Sequence, residues 1–167
     1  MASLLFATLV SDGNIESDED IQPVSYRAPE VILEMKWSYT VNILNAGVML
    51  WRLVLNDYLF KAHDPEIRRI SNSYRLAEMI SYLGQPPPQF LSRPGRADKY
   101  FDEEKKLRDH WELSTVHSFE AFEDERFQGE EKELSIQLIK SMVKWDPAER
   151  KTAKELVDND PWLNMNP

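Results

Sequence analysis

The side chains able to do proton or covalent chemistry are few and scattered. The chain has no cysteine, which excludes thiolate nucleophiles, disulfides, zinc–thiolate sites and iron–sulfur clusters. Its three histidines are His63, His110 and His117. The last two stand at a spacing that two helical turns would align, but no acidic residue completes a recognisable zinc pattern, so a chance pair is the simpler reading. Ser114 and Ser118 lie near His117 without the nucleophile-elbow string of a serine hydrolase. Ser25 could accept a phosphate, but a phosphate orders a loop only where arginines receive it, and Arg27 alone is close; a plain loop serine is preferred. What remains is electrostatic. The net charge is −9, from 29 acidic against 20 basic residues, with acidic clusters at Asp18-Glu19-Asp20, Asp102-Glu103-Glu104 and Glu123-Asp124-Glu125. That balance argues against nucleic acid as the main partner, because phosphate binding needs clustered Lys and Arg. It would suit a basic peptide, although solvated loop charge is the plainer reading of such clusters.

Several helices are expected to position these residues. At 167 residues, 42% of them hydrophobic and five of them Trp, the chain is one domain's worth with room for a core. Ser3–Val10 reads as a short buried strand; as a signal peptide it lacks a basic leading region, and export is disfavoured. Residues 11–25 read as a loop. Val31, Ile32 and Met35 suit a helix of one or two turns. A longer helix is expected from about Thr40 to Asn56, apolar on nearly every side and therefore central and buried. A polar loop with Lys61, His63 and Asp64 follows. Next comes a helix over Ser73–Leu83 with Leu76, Ile80 and Leu83 on one face, stopped by Gly84 and Pro86-Pro87-Pro88. Residues 89–130 read as a largely irregular insertion with short helices, pinned by isolated aromatics such as Phe90, Tyr100, Phe101, Trp111, Phe119, Phe122 and Phe127. Leu134, Leu138 and Met142 mark another helical stripe, Asp146-Pro147 breaks it, and Thr152 caps a last helix through Val157. The overall expectation is a mainly α fold. No segment is long enough to span a bilayer, and the lack of cysteine is compatible with an intracellular protein, cytoplasmic or nuclear.

Two strings in order carry a resemblance. Tyr26-Arg27-Ala28-Pro29-Glu30 resembles the Ala-Pro-Glu motif that closes a protein-kinase activation segment, and Trp145-Asp146-Pro147-Ala148-Glu149-Arg150 resembles the connection whose Arg pairs with that Glu. From about Ala7 onward the chain is similar to the large lobe of a eukaryotic protein kinase. Tyr26-Arg27 and Leu83-Gly84-Gln85-Pro86-Pro87-Pro88 resemble the CMGC group. Trp37-Ser38-Tyr39, Gly47-Val48-Met49-Leu50-Trp51 and Asp109-His110-Trp111 resemble the fungal SR-protein-kinase-like families. The resemblance implies that Ser25, Tyr26, Arg27, Ala28, Pro29 and Glu30 are the end of an activation segment that binds peptide. It implies a buried Glu30–Arg150 ion pair, close helix packing at Gly47 and a core position for Trp51. It makes residues 1–167 a partial kinase domain and 89–130 its CMGC-type insertion. Basic or Arg/Ser-rich proteins become the expected partners.

The departures from the family pattern bear on function. The Gly-rich loop, the ATP-anchoring Lys with its Glu partner, and the catalytic-loop Asp and Asn have no counterpart in this sequence. Ser3-Leu4-Leu5 stands where Asp-Phe-Gly is expected, and Ser3 cannot replace a metal-binding carboxylate. The long helix opens with Asn42-Ile43-Leu44 where the family has an Asp-Ile-Trp-like string, so Asn42 is a degraded family position. The expectation is a large-lobe fragment with the small lobe and catalytic loop absent, inactive alone, with no cofactor of its own. An intact family member uses Mg²⁺-ATP, and a missing N-terminal kinase half would supply that site. The alternative is a genuine short, non-catalytic kinase remnant acting as a protein-binding module.

Overall fold

The computed structural model describes residues 22–64, 68–108, 118–121 and 128–165. Within them the chain is mainly helical: α1 (Pro29–Ile32), α2 (Thr40–Leu55), α3 (Asn72–Leu83), α4 (Pro88–Leu91), α5 (Gly129–Met142) and α6 (Ala153–Asn159). The strand expected over Ser3–Val10 lies outside the described residues, as do Trp111, Phe122, Phe127, His110 and His117.

α5 lies against α2, which also meets the 3-10 turns at Val24–Tyr26 and Pro147–Glu149. The buried face of α2 is Val41, Ile43, Leu44, Gly47, Val48 and Trp51. The expectation that it is apolar on nearly every side and therefore buried needs correcting. Met49 is 44% and Leu53 77% exposed, and Asn42 and Ala46 share that open side. Apolar residue types alone do not show which side of a helix finds a partner. Gly47 sits where α5 approaches. A Cβ there would lie 2.9 Å from Val143 Cγ2 and 3.0 Å from Met142 Cβ, so the crossing depends on the missing methyl. Asn56 ends α2 in the left-handed region at φ 53°, a conformation Asn tolerates better than most residues.

Between α2 and α3 the expected polar loop contains a two-stranded antiparallel pair, β1 (His63–Asp64) with β2 (Arg69–Ile70), in the register His63↔Ile70 and Asp64↔Arg69. α3 is capped by Ser71, whose side chain accepts from Tyr74 N. It buries Leu76 and Met79, but Ile80 and Leu83 are only half-buried, and Arg75 and Glu78 lie inside. The inward face therefore carries two charges that periodicity alone would put in solvent. In α5 the stripe is shifted likewise. Ser135, Ile136, Leu138, Ile139 and Met142 are buried and Leu134 lies at the edge. α6 carries the expected Thr152 cap as a full capping box with Glu155.

Aromatic rings hold the irregular parts, as the sequence suggests. Trp51, Tyr82 and Phe119 meet with centroids 5.1–6.4 Å apart, and Phe60 lies 5.6 Å from Tyr82. Such tilted and edge-on pairs are the favoured ring geometry. Phe90 packs at 6.2 Å from Trp145, whose indole N–H donates to Gly84 O at 2.9 Å. Farther along, Arg96 N donates to Leu33 O at 2.6 Å. A Cβ on the preceding Gly95 would fall 2.7 Å from that same carbonyl oxygen, so this crossing also requires glycine.

Candidate functional site

The segment Gln22–Glu30 carries most of the residues singled out in the sequence. Val24–Tyr26 forms one 3-10 turn, and Pro29 opens α1 at its first position, where its missing N–H is not needed. Ala28, Pro29 and Glu30 are buried, while Ser25, Tyr26 and Arg27 are half-buried. Side chains from α2, α3 and the turn before α6 all converge on this short stretch.

The structure brings Glu30 and Arg150 together as a bidentate pair. Arg150 Nη1 donates to Glu30 Oε1 at 2.6 Å and Nη2 to Oε2 at 2.7 Å. Arg150 also donates to Thr40 O at 3.0 Å, and to Lys144 O through Nε at 3.2 Å and Nη2 at 3.1 Å. Both side chains are essentially without solvent contact. A buried charge is tolerable only when paired and fully hydrogen-bonded, and this fork-to-fork geometry meets both conditions.

Arg27 turns back on its own segment. Its Nε and Nη2 donate to Gln22 O at 3.2 and 3.0 Å, and Nη1 reaches Asn72 Oδ1 at 3.3 Å. Gln22, buried and at φ 72°, accepts from Ala28 N through Oε1 at 2.9 Å and donates through Nε2 to Val41 O. Arg75 approaches from α3, donating to Arg27 O through Nε at 3.3 Å and Nη2 at 3.1 Å. Its guanidinium lies 4.0 Å from the Phe60 ring centroid, and its Nη1 has no hydrogen-bond partner. Burial lowers the Arg75 pKa to about 9 against the opposing pull of Glu78, so it is still charged at neutral pH. Glu78 accepts from Lys61 N at 3.1 Å and Ala62 N at 2.8 Å, holding Ala62 at φ 54°.

At the outer edge, Arg52 Nη1 donates to Tyr26 Oη at 2.7 Å, and its guanidinium lies 4.0 Å from the Tyr58 ring centroid. The bond to Tyr26 raises the Arg52 pKa above its ordinary value. Ser25 Oγ donates to Lys61 O at 3.4 Å. Asn42 stands exposed on the first turn of α2. His63 is exposed on β1. In the acidic cluster at Asp102-Glu103-Glu104, Asp102 accepts from Lys106 N and Glu104 pairs with Lys106 Nζ at 2.7 Å. The other two clusters lie outside the described residues. Sequence reasoning did not single out Gln22, Arg52, Arg75 or Glu78. Each acts through a contact with a distant segment, and nothing in its local string signals that.

Among the described residues no group of three or more His, Cys, Asp or Glu could hold a metal ion. No helix among them is long and apolar enough to cross a membrane.

The protein kinase domain family matches residues 7–163. A serine/threonine protein kinase of Aspergillus fumigatus is 40% identical over 146 residues, covering 87% of this chain and 36% of the relative. Serine/threonine-protein kinase SRPK of Physarum polycephalum is 28% identical, covering 89% of this chain and 35% of the relative. Human dual specificity protein kinase CLK2 is 32% identical over 80% of this chain and 26% of its own length. The chain thus spans about a third or less of these curated relatives, which are serine/threonine kinases of the SR-protein-kinase and CLK type; the sequence strings resemble the first of these.

Proposed function

The chain belongs to the protein kinase domain family, and on that premise we propose that it is the peptide-binding part of an SR-protein-kinase-like serine/threonine kinase, unable to transfer phosphate by itself. One observation carries this reading. The buried Glu30–Arg150 pair joins residues 120 apart and fastens the segment whose string resembles the end of an activation segment. A carboxylate–guanidinium pair so enclosed fixes backbone geometry, which is what a surface that reads an extended peptide requires.

In this reading Ser25, Tyr26, Arg27, Ala28, Pro29 and Glu30 form the peptide-binding segment, with Arg27 and Gln22 bracing it from behind. The partner is a basic or Arg/Ser-rich protein, which the net charge of −9 favours through long-range attraction. The place of action is intracellular. Phosphoryl transfer depends on cations that position and neutralise the phosphates. Mg²⁺-ATP is the cofactor that the kinase family implies for an intact member.

A second reading, a short non-catalytic remnant that only binds partners, is favoured by Asn42. The family places an Asp there, and a neutral amide accepts hydrogen bonds about half as strongly as a carboxylate.

Calorimetry on the 167-residue chain tests the proposal. Heats are expected with a basic Arg/Ser-rich peptide, and none with micromolar Mg²⁺-ATP. Tight nucleotide binding, or silence with every basic peptide, would sink it. An immunoblot of the native protein separates the two readings. A band at least twice 19.6 kDa, as the relatives' greater length implies, supports the kinase part, and a band at 19.6 kDa the remnant.

A further inference from the structure

Beside the proposed peptide-binding segment stands a cation that no carboxylate among the described residues neutralises. Arg52 lies in the last turn of α2 and is exposed. Its guanidinium is held between two rings: Nη1 donates to Tyr26 Oη at 2.7 Å, and the carbon centre sits 4.0 Å from the Tyr58 centroid. The two rings are themselves 6.5 Å apart and tilted by 58°. Among the described residues no carboxylate pairs with Arg52. The acid next to Tyr58, Asp57, is engaged by Lys61 at 3.7 Å.

A cation at a helix C-terminus gains from the helix dipole wherever its side chain points. That gain explains a positive charge at position 52 but not its clamping by two tyrosines, one of which belongs to the segment Ser25–Glu30. Clamping sets the plane of the guanidinium before any ligand arrives. Arg has five N–H donors in a fixed fork, and only one is committed to Tyr26. The remaining edge matches a carboxylate or a phosphate, which Arg binds in a two-pronged manner. An arginine of a passing peptide would meet like charge at the same place.

We propose that Arg52, clamped by Tyr26 and Tyr58, is a specificity determinant that selects an anionic side chain in the peptide bound along Ser25–Glu30. The inference rests on the peptide-binding reading of that segment and sharpens it. The partner is basic as a whole, in keeping with the chain's net charge, yet carries a carboxylate or phosphate at the one position facing Arg52.

Fluorescence anisotropy can decide this with a labelled basic host peptide. Glu, phosphoserine or Arg is placed at each position in turn and titrated with the wild-type chain, Arg52→Glu, Arg52→Lys and Tyr58→Leu. At one position the wild type is expected to bind the Glu and phosphoserine peptides about two- to fivefold more tightly than the Arg peptide, the range of an exposed charge pair. Arg52→Glu should reverse that preference. Arg52→Lys, which keeps the charge but loses the fork, and Tyr58→Leu, which removes the platform, should both reduce it. A preference for phosphoserine alone identifies phosphate as the source of the anion, and equal preference identifies charge. If peptides bind but no position discriminates, or if the preference survives Arg52→Glu in a variant with wild-type circular dichroism, the proposal is overturned while the peptide-binding reading stands. If no peptide binds to the folded wild type, both fall together.

Discussion

Two ion pairs each tie a distant segment to the helical body, and they share little beyond their charges. Glu30–Arg150 holds the Gln22–Glu30 segment against the start of α2, with the two side chains 1% and 0% exposed. Glu120–Lys140 holds the Phe119 segment against α5, with its side chains 61% and 41% exposed. Lys140 also lies over the Phe119 ring, its ammonium 5.6 Å from the centroid. In the first pair every donor of Arg150 is taken and water cannot replace a lost partner. In the second, water can stand in for either group. Burial, more than distance or charge, decides how much of the structure depends on a pair.

The largest effect is expected from breaking the buried pair. Arg150→Ala leaves the Glu30 carboxylate enclosed without a counter-charge and should cost about 3–5 kcal/mol in chemical denaturation. A marginally stable domain would not survive such a loss. Arg150→Lys should lie between, keeping the charge while losing the two-pronged geometry. An Arg150→Ala protein as stable as the wild type would break the contrast between the two pairs.

Arg75 sharpens the contrast, because it is as buried as Arg150 yet has no carboxylate clasping it in the same way. Its two bonds go to one carbonyl, Arg27 O, and its Nη1 has no partner. Arg75→Met removes a buried charge together with its unmet donor, and deprives Arg27 O of these donors. A loss of about 1–3 kcal/mol follows from that acceptor, smaller than for Arg150→Ala. A loss equal to that of Arg150→Ala would mean the Arg75 charge itself is essential to the segment.

The smallest effect belongs to the exposed pair. Lys140→Ala should cost no more than about 1 kcal/mol once solvent screening is allowed for. Its pH dependence has a definite sign. The bonds from Lys140 and Ser118 hold the Glu120 pKa down to about 2, from 4.5. A depressed carboxylate contributes its stability above the unfolded value and loses it as pH falls through the folded one. The small difference between wild type and Glu120→Gln should therefore be present at pH 6 and shrink progressively between about pH 4.5 and pH 2 in thermal melts. A difference that grows with acid would contradict this account of the pair.

Much of the helical frame was legible in the chain. The apolar rows marking α2, α3 and α5, the stop at Gly84-Gln85-Pro86-Pro87-Pro88 and the Thr152 cap are local signals, each read within one or two turns. The antiparallel pair at His63–Asp64 and Arg69–Ile70 was not legible. Two residues per strand are too few for alternation to show. The convergence of Glu30 and Arg150 was anticipated only because two strings resembled kinase motifs; nothing in a separation of 120 residues would otherwise link them. The contacts of Arg52, Arg75, Gln22 and Glu78 were not legible, since a single charged or amide side chain looks like ordinary solvated surface until the segment it meets is known.

The amino-acid sequence by itself determined where the longer helices lie, that no thiol chemistry is present, and which kinase strings the chain carries. Hydrophobic spacing, caps and residue types act over a few positions and need no partner to be read. Only the tertiary structure decided which polar groups lose water and what receives their hydrogen bonds. It turned Met49 and Leu53 outward and brought Arg75 and Glu78 inward. It also enclosed Glu30 with Arg150 and set Arg52 between two tyrosines. Burial and partnership belong to surfaces that meet across the fold, and the free energy of a charge depends on that meeting more than on its neighbours in the chain.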